Sequence, residues 1–88
     1  MGLVRISGLP GSGARYYATK VADTEIAAGR RVGWLIGHGD DPGIVDLEIF
    51  GHVDEIPTGL DLLVVDEMPV DEGRLRLLAH DVVVVSPS

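Results

Sequence analysis

Residues 8–15 read Gly-Leu-Pro-Gly-Ser-Gly-Ala-Arg. The apolar run at 3–6 enters this turn directly, and a stretch with helical spacing leaves it. Glycines at 8, 11 and 13 free the backbone to curl so that successive N–H groups point inward. The helix that follows adds the positive end of its dipole, and together they make an anion nest that needs no charged side chain. A strand, a glycine turn and a helix in that order commit the chain to an α/β layout. The spacing meets the phosphate-binding pattern G-x-x-x-x-G-K-[ST] at Gly8 and Gly13. Ala14 stands where the pattern has lysine, and Arg15 where it has the hydroxyl that reaches Mg²⁺.

Downstream, Ala14, Tyr17, Ala18, Val21, Ala22 and Ala28 recur with helical spacing, and Gly29 is a natural helix stop. Residues 32–36 read as a second strand and 38–43 as a polar loop. In 44–50, Val45, Leu47 and Ile49 alternate with Asp46 and Glu48, which predicts a half-exposed strand, followed by a short helical turn at 53–56. Residues 60–65 are almost continuously apolar, as central parallel strands are, and end in Asp66-Glu67. A helix is expected over 71–79 with Leu75 and Leu78 inward, then another buried strand at 82–85. Strands alternating with helices imply one α/β domain over 1–88, a three-layer sandwich with a small, mainly parallel sheet.

The strand ending Asp66-Glu67 has the form of a Walker B motif. In an active enzyme the aspartate holds Mg²⁺ through water and the glutamate orients the attacking water. With a hydroxyl absent at position 15, the arginine there is expected to pair with Asp66 and fill the metal site with its guanidinium. The opposite reading turns Arg15 toward the nest as a substitute for the lysine. The plain readings are a tight turn that binds nothing and an acidic strand end. His38 with Asp40 and Asp41 matches no metal motif, and His52 and His80 are scattered. Tyr16 and Tyr17 read as one packing and one half-exposed residue, with a weak adenine-stacking alternative. Arg5 and Lys20 read as surface residues, and the pairs Arg30-Arg31 and Arg74-Arg76 as solvated charges at helix ends.

Composition narrows the classes. The chain has 88 residues, 45% of them apolar, which fits one small folded domain. It has no cysteine, so neither a disulfide framework nor a thiolate zinc site. A net charge of −7 argues against a nucleic-acid surface. There is no signal-peptide pattern and no apolar run near the length of a membrane span of about 20 residues, so a cytoplasmic protein is expected.

Ile6 to Gly13, then Tyr16-Tyr17-Ala18, then Gly29-Arg30-Arg31-Val32, resemble the start of the zonula occludens toxin-like (Zot-like) P-loop ATPases that assemble filamentous phages. Their loop typically runs G-x-P-G-S-G-K-S-Y-Y-A, and the similarity covers about the first 36 residues. The resemblance implies a minimal P-loop NTPase-like fold. In that fold the first strand pairs with the last, 82–85, and the strand ending at Asp66 lies on the far side of it. It also implies phosphate contacts at Gly8, Gly11, Ser12, Gly13, Ala14 and Arg15. A weaker resemblance, carried by 38–43 and the strand ending Asp66-Glu67, is to thymidine kinase-like P-loop proteins, whose zinc-binding cysteines have no counterpart here.

The expectation is therefore a degenerate, non-catalytic P-loop domain of phage or mobile-element type, a pseudo-ATPase with no required cofactor. It would act on a protein partner: a second copy, a related ATPase or a host protein. The alternative is a weak ATPase in which the Gly8–Gly13 loop cradles ATP, Asp66 places Mg²⁺ and Glu67 is the base. A small-molecule kinase fragment is a third reading, for which no acceptor pocket is legible.

Overall fold

The computed structural model describes residues 2–7, 13–36, 42–66 and 71–86. In chain order these form β1 (Leu3–Ser7), α1 (Ala14–Ala27), β2 (Val32–Ile36), β3 (Glu48–Phe50), a single 3-10 turn (Val53–Glu55), β4 (Leu60–Asp66), α2 (Glu72–Leu78) and β5 (Ala79–Ser86). The strands make one sheet in the order β1-β5-β4-β2-β3, and every pairing is parallel. The order expected of the first strand, the last strand and the strand ending at Asp66 is the order found.

Alternation along the strands divides the core into two layers. Leu35, Leu63, Val65, Val82 and Val84 face one side, where Leu75 of α2 and Ile56 after the 3-10 turn cover them. Val32, Trp34, Leu62, Val64, Val83 and Val85 face the other side, beneath Ala18 and Ala22 of α1. Residues 62–65 of β4 and 82–85 of β5 are therefore dry on both faces, which is why they read as unbroken apolar runs.

Gly13 starts α1 with φ +97°, a left-handed conformation that glycine adopts without a Cβ penalty. The other end closes as a Schellman motif. Gly29, at φ +83°, donates its N–H to Ile26 O at 2.9 Å, and the Arg30 N–H reaches Glu25 O at 3.0 Å. Asp71 caps α2, its carboxylate accepting the Gly73 N–H at 3.0 Å.

Several expectations need correction. Only 48–50 of the expected 44–50 strand is strand. Residues 45 and 46 turn, with Asp46 at φ +68°, so Val45 projects into solvent at 79% exposure. An alternating pattern cannot show that the backbone leaves the extended region part-way along it. Tyr17 is not a packing residue. It is exposed like Tyr16, and the helix meets the sheet through alanines instead. β5 begins at Ala79, three residues before its apolar run, because α2 passes into it without a loop.

Arg30 and Arg31 are not simply solvated. Arg31 forks onto Glu48 of β3 at 2.7 and 2.9 Å, and this bond holds the Glu48 carboxyl below its ordinary range. Arg30 lies between Glu25 and Asp81, 3.2 Å from each. Asp81 is a buried carboxylate at the start of β5, and it also accepts the Gly2 N–H at 3.0 Å. That hydrogen bond holds its carboxyl below the ordinary value of 3.8 against the opposing effect of burial.

A carboxyl depressed by folding stabilises the fold above its unfolded pKa, and that stability is lost as pH falls through the folded value. Asp81→Asn should therefore cost about 1–2 kcal/mol near neutral pH, by weakening the hydrogen bond from Gly2 and removing one of the two carboxylates that hold Arg30. Urea unfolding across a pH series should show the gap between variant and parent closing as pH falls through the acid range in which the carboxyl takes up its proton. A gap that is the same at every pH would assign Asp81 a packing role only.

Candidate functional site at the carboxyl ends of the strands

Ligands of open parallel sheets bind outside the carboxyl ends of the strands, and this chain gathers its distinctive residues there. The register sets Ser7 of β1 beside Ser86 of β5, Val85 beside Asp66 of β4, and Asp66 beside Ile36 of β2. Along this rim the row Ile6, Val85, Asp66 and Ile36 faces the α1 side, and α1 begins over it. Asp66 follows five apolar residues in β4 and shares their burial, with its side chain 1% exposed.

Arg15 comes from the first turn of α1. Its Nε lies 3.2 Å from Asp66 Oδ2, and its own side chain remains 40% exposed. The ion pair expected between these residues is thus in place, with the two partners buried to very different degrees. A carboxylate in so dry a position needs a cation, and the guanidinium meets that need on the side from which α1 approaches.

Gly13 and the backbone at Ala14 and Arg15 stand at the helix N-terminus, where amide N–H groups can receive an anion. Gly13 sits at the N-cap and has no side chain with which to cap those amides. The remaining phosphate candidates, Gly8, Gly11 and Ser12, lie outside the described residues, as does Glu67, the base of the ATPase alternative. His38, Asp40 and Asp41 lie outside them too. Among the described residues no group of three or more His, Asp or Glu side chains is placed to hold a metal ion. His52 is occupied locally, its Nδ1 accepting the Asp54 N–H at 3.1 Å at the head of the 3-10 turn. His80 is exposed on β5.

Arg5 and Arg74 are drawn into structural pairs, so Arg74 is not simply a solvated charge at a helix end, while Arg76 is exposed. Arg5 of β1 holds Glu72 of α2, and Arg74 of α2 holds Asp54 of the 3-10 turn. Neither approaches the rim as a substitute for the missing lysine. Lys20 points its ammonium over the Tyr16 ring, 5.4 Å from the centroid. Sequence reasoning missed Asp81, whose signal was an aspartate opening an apolar run. It also missed Glu25, five residues ahead of Arg30. No protein-family model matches the chain, and no curated protein matches it. No helix among the described residues is long and apolar enough to cross a membrane.

The unequal burial of Arg15 and Asp66 predicts unequal mutational costs. Arg15→Met strands a buried carboxylate and should cost about 3 kcal/mol, whereas Asp66→Asn releases an arginine that already reaches water and should cost about 1 kcal/mol or less. Equal losses in urea unfolding would mean that Asp66 does not depend on Arg15 for its charge balance.

Proposed function

We propose that this chain is a degenerate P-loop domain, non-catalytic, serving as a regulatory or protein-interaction module. The single observation that carries the reading is the Arg15–Asp66 pair. In a working P-loop site, Mg²⁺ would stand between the hydroxyl position and this aspartate. Here a guanidinium, ion-paired to the same carboxylate at 3.2 Å, faces it from that position. Mg²⁺ demands a tight octahedral oxygen shell, which an arginine in contact with one of its carboxylates obstructs.

Three further features support the fold assignment behind this reading. Gly13 ends the turn in a left-handed conformation at the head of α1. β5 lies between β1 and β4, the order that the family resemblance calls for. Asp66 ends a strand buried on both faces. The phage or mobile-element origin rests on the resemblance of residues 6–32 alone.

The exposure of Arg15 favours one second reading, a weak nucleotide-binding protein or ATPase. In it, Arg15 swings from Asp66 to the phosphates, Asp66 places Mg²⁺ and Glu67 acts as base. Calorimetric titration with ATP, with and without Mg²⁺, separates the two. The degenerate domain should show no binding at about millimolar ATP, whereas affinity in the micromolar range that strengthens with Mg²⁺ would sink that reading. The double variant Ala14→Lys/Arg15→Ser restores the phosphate-binding pattern and frees Asp66 from its arginine. It should gain Mg²⁺-dependent ATP binding if the scaffold is a P-loop. A folded double variant that still ignores ATP would count against the P-loop assignment itself.

A further inference from the structure

Burial changes abruptly across the β2–β3 pair. Val32, Gly33, Trp34 and Leu35 of β2 are all buried. From residue 42 to residue 55 no residue is, and Ile56 is the next one that is. Ile44, Leu47, Phe50 and Val53 lie half-buried against the core. Phe50 finds its place because Gly33 has no side chain. A Cβ there would stand 3.0 Å from Phe50 Cε2 and 2.7 Å from Leu60 Cδ1.

The backbone pairing is correspondingly short. β3 meets β2 over three residues, Gly33 with Glu48, Trp34 with Ile49 and Leu35 with Phe50, against five between β1 and β5. Ion pairs close the segment at both ends. Arg31 forks onto Glu48 where β3 begins, and Arg74 of α2 holds Asp54 in the 3-10 turn. Between them the Gly51 N–H donates to Glu55 Oε1 at 3.1 Å, which ties the exit of β3 to that turn. All four charged side chains are more than a third exposed, and ion pairs so open to water break easily. Left-handed residues flank the segment, Asp46 at φ +68° before it and Gly59 at φ +94° after it.

A region opens by itself when it buries few apolar groups and depends on exposed contacts. We infer that residues 48–55 are a strap that lifts from the sheet as one unit, well short of global unfolding, with Arg31–Glu48 and Arg74–Asp54 as its latches. Ile56 stays in the core as its fixed end. Lifting the strap turns β2 from an interior strand into the edge of a four-stranded sheet, β1-β5-β4-β2. The latches therefore set when the outer backbone groups of β2 are offered to solvent. The device is independent of whether the rim at Asp66 binds a nucleotide.

Native-state hydrogen exchange of the full chain, followed by NMR in urea below the unfolding transition, tests the strap. The ladder amides of 48–50 and the amides of Glu55 and Ile56 should exchange through one opening. Its urea dependence should fall well below that of the β4 and β5 amides, which open only with the whole fold. Glu48→Gln and Asp54→Asn should each speed exchange about threefold across the entire group. The crossed effect decides the matter: Glu48→Gln must reach Glu55 and Ile56, and Asp54→Asn must reach 48–50. Glu72→Gln, which breaks the exposed Arg5–Glu72 pair away from the strap, should leave the group unchanged. Exchange of 48–50 with the urea dependence of β4 and β5 would overturn the inference, because the segment would then leave only with the whole fold. So would amides at 48–50 as unprotected as those of a free peptide, effects of each variant confined to its own end, or an equal acceleration by Glu72→Gln.

Discussion

Two buried carboxylates, one at each end of the sheet under α1, hold this structure in its arrangement. Asp66 lies at the carboxyl end of β4 against Arg15, and Asp81 at the amino end of β5 against Arg30. The arginines flank the helix, one in its first turn and one just past its Schellman stop. The fully buried residues of α1 among those described are alanines, each of which contributes far less apolar burial than a leucine or valine, worth about 1.5–3 kcal/mol. Apolar contact therefore sets how closely α1 approaches the sheet. The two charge clamps set where it sits along the strands, because sliding by one turn would strand both carboxylates.

The legible parts of the fold are those written in local chemistry. β4 and β5 announce themselves as unbroken apolar runs, α1 by its glycine start and Gly29 stop, and α2 by Asp71 ahead of Leu75. The glycine frame and Asp66 marked the rim, and the substitution at position 15 suggested its ion pair. What escaped was set by partners distant in sequence. Arg30 is 51 residues from Asp81 and Arg31 is 17 from Glu48, so nothing near Arg30-Arg31 distinguishes clamps from solvated charge. The turn at Asp46 escaped because a left-handed aspartate leaves no trace in a hydrophobic pattern. The exposure of Tyr17 escaped because an aromatic ring reads as core wherever helical spacing permits.

The rim and the exposed side of α1 are two parts of one surface, since Arg15 and Tyr16 are adjacent in the first turns of α1. With Arg15 drawn to Asp66 and Arg30 to Asp81 the helix is clamped at both ends, while Tyr16, Lys20 and Asp23 stay exposed. Gly13 is required by the backbone entry into the helix, at a φ that a side chain would strain.

β5 lies inside the sheet, between β1 and β4, although it follows both of them along the chain. Gly2 and Asp81, joined by a hydrogen bond across that junction, are 79 positions apart. During synthesis the first strand therefore emerges with no neighbour to receive it, and β2, β3 and β4 can assemble only a sheet open on its most apolar side. Closure waits for the final segment to insert, a topology rich in non-local contacts that folds slowly for its size. Until then the exposed margins of β1 and β4 are sticky templates for other strands. The vulnerability is greatest in the interval before residues 79–86 leave the ribosome.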